Sequence, residues 1–196
     1  ENDTNHIDYN LLNTFLENNI FKIEKLIGNF LKNITVIIEN TKILSFSFGI
    51  KKKNFGEKIN RQYLKSSLIE LKDIFKENYQ NNKILHFVIN KCAVNGVNHN
   101  SFDNEIEGDH MIVEASFISI PNIFIEEISD ALEKYQIKID RFLNLKYIKD
   151  FFSQKPSDLS IIAFKIQSGL NENEIDLVPK SHKKKGFFEK FFQFFN

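Results

Sequence analysis

Asn60-Arg-Gln-Tyr63-Leu64-Lys-Ser-Ser-Leu68-Ile-Glu-Leu71-Lys-Asp-Ile74-Phe75-Lys-Glu-Asn-Tyr79-Gln-Asn81-Asn82-Lys83-Ile-Leu-His86-Phe-Val-Ile89-Asn-Lys-Cys92-Ala-Val94-Asn95-Gly96 changes its hydrophobic period once, at Asn81-Asn82. Before that point Tyr63, Leu64, Leu68, Leu71, Ile74 and Phe75 recur three and four apart, which places them on one face of a helix over Asn60 to Tyr79. After it, Lys83 to Val94 is rich in β-branched and aromatic residues and reads as a strand, with room for a bulge. Asn95-Gly96 closes the strand with a turn signal. A helix, a turn and a strand in succession fit an α+β arrangement.

The flanks extend this pattern in both directions. Upstream, Lys42 to Ile50 alternates as a half-exposed strand, and Lys51-Lys52-Lys53-Asn54-Phe55-Gly56 reads as a loop. Ile34 to Glu39 reads as a short buried strand. Asp8 to Lys32 reads as a helix, with Asn18-Asn19 a point where it kinks or divides. Downstream, Asn98 to Gly108 is a polar loop and His110 to Ile120 an alternating strand. Pro121 opens a helix that runs to about Tyr135. Gln136 to Leu145 is a further strand, and Pro156 to Ser168 a helix stopped by Gly169. The fold class is α+β, a small sheet with packed helices.

The chain of 196 residues is long enough for one well-cored domain and a small appendage. Lys+Arg and Asp+Glu number 26 each, but they are unevenly placed. From Lys180 to Asn196 five lysines stand against one glutamate, a net of +4, so the remainder carries −4. An acidic body with a basic, aromatic end suits an anionic membrane surface. Nucleic acid is not an expected partner, because that would need basic residues spread over a folded face. The single cysteine, Cys92, excludes an internal disulfide and points to a reducing compartment. No run approaches the roughly 18 apolar residues of a transmembrane helix.

The end of the chain carries the clearest functional signal. Residues 169–185 read as a polar tether and 186–196 as a short amphipathic helix. On a helix of about 100° per residue, Phe187, Phe188, Phe191, Phe192, Phe194 and Phe195 fall in one arc, opposite Glu189, Lys190, Gln193 and Asn196. Lys183, Lys184 and Lys185 lead into it. That is the pattern of a helix lying in a membrane interface, with Lys190 and the lysine triplet meeting anionic lipid. One helix of this size gives reversible attachment comparable to one acyl chain, so self-association is a further expectation. The alternative is a soluble interaction scaffold whose aromatic helix docks in a groove of a partner protein.

Other residues offer weaker chemistry. Lys51, Lys52 and Lys53 read as a solvated loop. His99, Asp103, Glu105, Glu107, Asp109 and His110 are ligand-type side chains, but their irregular spacing lacks the tight pairs of a metal site. His86 and Cys92 stand six apart on a strand, on one face but about 20 Å from each other, too far to act as base and nucleophile. No cofactor, no metal and no enzymatic activity are expected. The sheet supplies the remaining surface: Phe46, Phe48, Phe117 and Ile118 put apolar side chains on both faces of two strands, a candidate protein interface by strand addition at an open edge.

Three stretches together resemble the FtsA family of actin-like bacterial cell-division proteins. Lys83 to Gly96 is similar to a histidine-containing strand of that family that runs into an Asp-Gly-like turn; His86 and Gly96 match, Asn95 replaces Asp, Cys92 an aromatic and Ile89 a proline. Gly108 to Leu143 resembles a strand, a helix and a Gly-Leu-x-Val-Asp strand, here Tyr135-Gln136-Ile137-Lys138-Ile139-Asp140. The third stretch is the tail, which looks like the family's membrane-targeting device. The departures are large. Only seven glycines occur, none paired, and the glycine-rich phosphate and adenosine loops are missing. The resemblance thus implies a truncated form that binds no nucleotide. Residues 40–135 would be the inserted 1C-type domain (strand–helix–strand–strand), and 1–39 with 136–168 a remnant actin-like scaffold. It further implies a peripheral protein at the cytoplasmic face of the bacterial inner membrane, with cell-division proteins as partners. FtsZ binding is left open, since the domain that usually docks it is absent.

Overall fold

The computed structural model describes residues 7–102, 104–151 and 158–175. The elements in chain order are α1 (Tyr9–Ile27), β1 (Asn33–Ile38), β2 (Leu44–Lys53), β3 (Lys58–Ile59), α2 (Arg61–Asn78), β4 (Asn82–Val94), β5 (Val97–Asn98), β6 (Ile106–Glu107), β7 (His110–Pro121), α3 (Asn122–Glu133), β8 (Lys138–Asn144), α4 (Leu145–Phe151) and α5 (Leu159–Gln167). The fold is α+β. The described residues divide into two compact units, one within 7–43 and 120–167, the other within 44–119 and 168–175.

In the first unit, β1 and β8 run parallel from Asn33↔Lys138 to Ile38↔Asn144, with an irregularity between Ile34 and Thr35. Asp8 caps α1 by accepting from the Leu11 amide at 3.0 Å, and Gly28 ends it with φ 70°, a conformation glycine adopts without a Cβ clash. The expected break at Asn18-Asn19 is absent. Both side-chain amides donate to carbonyls four residues back, at 2.8 and 2.7 Å, and so lie along a continuous helix. α3 buries Phe124, Ile128, Ala131 and Leu132 and packs on α1 and β8. It therefore belongs to this unit and not, as its sequence position suggested, to a domain spanning 40–135. α4, which the sequence did not announce, joins α5 over β8, and Leu143, Ile148, Ile162, Ala163 and Ile166 close that core.

The second unit is built around α2 and β4. Asn60 caps α2 by accepting from the Tyr63 amide at 3.1 Å. The four-stranded sheet has the order β2-β7-β4-β5. β2 and β7 are antiparallel over ten consecutive pairs, Leu44↔Ser119 to Lys53↔His110. Asn82 meets Ser119 and Asn95 meets His110 at opposite ends of β4, so β4 is antiparallel to β7 as well. The turn into β5 has φ 48° at Asn95 and φ 84° at Gly96, the double positive-φ geometry that Asn-Gly favours. Leaving aside the two-residue strands, the chain order is strand, helix, strand, strand. Lys51, Lys52 and Lys53 are part of β2, not a loop, because their backbones pair with Ile112, Met111 and His110.

α2 lays Leu64, Leu68, Leu71 and Phe75 against Met111, Val113, Ala115 and Phe117 of β7. Phe117, fully buried, has ring neighbours Phe87 at 4.4 Å, Phe48 at 4.9 Å and Phe75 at 5.2 Å. Such pairs each add about 0.5–1.5 kcal/mol to the area they bury. β4 presents Ile84, then Phe87 and Ile89, then Cys92 and Val94 to this core, so its inward side changes parity twice. Phe117→Ala is expected to lower unfolding stability by about 3–5 kcal/mol in urea titration, whereas Phe55→Ala, at an exposed position, should change it by less than about 0.5 kcal/mol.

Candidate functional site

The second unit's sheet brings two features together: a closed flank beside β4 and an open flank at β2. On the closed flank, residues 171–175 lie against β4. Ile89 donates to the Asn173 carbonyl at 2.9 Å, Ile175 donates to the Phe87 carbonyl at 2.7 Å, and Val88 and Glu174 form an antiparallel bridge. Ile175 enters the core. Glu174 Oε1 lies 2.6 Å from His86 Nδ1, and both side chains are buried, so a proton is held between them away from water. The expected tether over 169–185 is corrected accordingly: up to 175 the chain is packed, because Ile175 has a core site and Glu174 a buried partner.

His86 and Cys92 do not share a face. His86 turns to Glu174, while Cys92 lies in the core, as the parity changes along β4 require. Burial pushes the Cys92 thiol up to about 12, the opposite of what a nucleophile needs. In the 98–110 region, Glu105 bonds Lys58 at 2.8 Å and raises its ammonium above the usual range, and the Asp109 and His110 amides donate to Asn95 Oδ1. Asp103 lies outside the described residues. Among the described residues, no three His, Cys, Asp or Glu side chains converge as metal ligands, and no helix is long and apolar enough to cross a membrane.

The candidate interface residues separate by face. Phe117 is fully buried between α2 and the sheet and cannot present a surface, which corrects its inclusion. Phe46 and Phe48 are half-buried on the same side and stack at 5.9 Å. Ile118 is half-buried on the opposite face. What β2 offers is thus its backbone edge together with the outer parts of two rings. The opposite face carries a polar ladder. Ser47 Oγ and Ser116 Oγ lie 2.6 Å apart, and Asn90 Nδ2 donates to Ser116 Oγ at 2.7 Å. The tail residues Lys183, Lys184, Lys185, Phe187, Phe188, Lys190, Phe191, Phe192, Phe194 and Phe195 lie outside the described residues.

The His86–Glu174 pair was not visible in the sequence. Its one signal is Ile175, an apolar residue directly after Asn-Glu-Asn-Glu. Glu174→Ala should remove the carboxylate beside buried His86, cost about 1–3 kcal/mol, and speed hydrogen exchange at the Ile89 and Ile175 amides before the rest of the unit. Cys92 should resist alkylation by iodoacetamide at pH 8 in the native protein, where its thiolate is on the order of one part in ten thousand, and react fully in denaturant. No protein-family model matches the chain, and no curated protein matches it.

Proposed function

We propose that this chain is an FtsA-like peripheral membrane adaptor of bacterial cell division, acting at the cytoplasmic face of the inner membrane without nucleotide chemistry. The body binds protein partners, and the tail holds it to anionic lipid. The observation that carries this reading is the tail sequence: six phenylalanines in one helical arc behind three lysines. The strand–helix–strand–strand order of the second unit agrees with what the resemblance implies for the 1C-type domain and supports the family reading. The scarcity of glycine supports the absence of a phosphate loop.

Attachment of this kind is reversible and gains from self-association, because two tails on one assembly make the second contact intramolecular. Neither ATP nor a metal is required. ATP binding at micromolar affinity, measured by calorimetry, would overturn that part of the reading.

The tail is tested by co-sedimentation with vesicles of mixed anionic and zwitterionic lipid. The full chain should pellet with the vesicles and be released by salt, and Phe191→Glu/Phe195→Glu should reduce the bound fraction at least about tenfold. Equal partitioning of the two proteins would sink the membrane reading. Protection of residues 187–195 from protease without lipid would instead favour a helix docked on a protein.

A further inference from the structure

Among the described residues, only one flank of the second unit's sheet is open. β5 and residues 171–175 lie along β4, whereas β2 stands last in the sheet and pairs with β7 alone. In an antiparallel ladder every second residue of such a strand directs its N–H and C=O away from its neighbour. Edge strands are ordinarily protected by shortness, proline, a bulge or a charge in the middle of the strand. β2 has ten residues and an unbroken register, and Leu44 to Ile50 contains neither proline nor charge.

The surroundings of this edge define what it would take. On the α2 side, Phe46 sits 4.9 Å from the ring of Tyr79, which is 36% exposed, and Phe48 continues the row. Apolar side chains added there would extend an existing aromatic stack. On the other side the backbone at Gly49 is bare. A Cβ at that position would stand 2.8 Å from both Glu114 Cγ and the Val113 carbonyl, so no side chain fits. At the far end Lys51 and Lys53 are exposed and join no ion pair among the described residues, while Lys52 bonds Glu70 at 2.8 Å. Glu114, opposite Gly49, disfavours acidic groups at the centre and confines them to the lysine end.

We propose that β2 is a docking edge for an extended segment of a partner protein, added antiparallel, with acidic residues at its N-terminal end and apolar residues at alternate positions after them. Antiparallel addition puts the acidic end opposite Lys53, Lys52 and Lys51 and the apolar residues opposite Ile50, Phe48 and Phe46. A second copy of this chain fits less well, since β2 contains no acidic residue to meet Lys51 and Lys53. The inference deepens the adaptor reading by naming the chemistry of the partner, and rests on it only for where that partner is met.

The test uses the full chain and a labelled synthetic octapeptide, Asp-Glu-Asp-Val-Thr-Val-Thr-Val, with its charge-reversed counterpart Lys-Arg-Lys-Val-Thr-Val-Thr-Val. Fluorescence polarisation at low salt should show saturable binding of the acidic peptide, at least about tenfold tighter than the reversed one. Hydrogen exchange should slow within β2. Lys51→Glu/Lys53→Glu should invert the preference, and methylating alternate backbone nitrogens of the peptide should abolish binding. Equal affinity for both peptides, no saturation by either, or slowed exchange elsewhere would overturn the proposal. So would a concentration-dependent dimer that protects β2 without peptide, which would assign the edge to a second copy. Vesicle binding lost while peptide binding persists would remove the membrane reading alone; peptide binding lost while vesicle binding persists would remove the edge alone.

Discussion

The second unit depends on one contact above the others: the ring of Phe117 held between α2 and the sheet. Phe117 lies on the strand between β2 and β4, so the residues stacking on it come from three separate elements, Phe48 on β2, Phe75 on α2 and Phe87 on β4. β2 and β4 are thereby fixed near their middles and α2 in its last turn. The inward side of β7 is otherwise Met111, Val113 and Ala115, smaller side chains that let α2 lie close. On the opposite face Gly49 stays bare for a separate reason: a Cβ there would meet Glu114 Cγ and the Val113 carbonyl of the neighbouring strand.

Much of this was legible from short-range pattern. The apolar residues of α2 show their helical period directly, Asn60 is a helix cap by residue type, and Asn95-Gly96 is a hairpin turn by residue type. What could not be read depended on distant partners. Lys51, Lys52 and Lys53 look like a loop because strand pairing satisfies the backbone whatever the side chain is, and their partners lie about sixty residues away. Glu174 looks like part of a polar tether because its reason for burial, His86, is 88 residues distant. α3 reads correctly as a helix, but no local pattern says whether its apolar face meets the β2 sheet or α1. Phe117 was misread for a related reason. Alternation shows that a strand has two faces but not which one a helix covers.

The candidate sites divide along the same line. The tail is pure local pattern, and its reading comes wholly from sequence. The closed flank of the sheet is pure tertiary structure: a His–Glu pair, an edge bridge and one isoleucine that together hold residues far apart in the chain. The reading of Cys92 and His86 as a nucleophile and its base fails on the tertiary structure. Cys92 is buried with a raised pKa, and His86 is engaged by Glu174.

The packed 171–175 segment also sets a length scale. Had the tether begun at 169, the link to residues 186–196 would have been some seventeen residues long. Fixing Ile175 in the core leaves the ten residues 176–185, which span at most about 36 Å when fully extended. On the adaptor reading, the β4 flank is then kept within roughly one domain diameter of the lipid. A partner met at this sheet would have to be reachable from the bilayer surface itself, such as the juxtamembrane segment of a membrane protein, rather than one held deep in the cytoplasm.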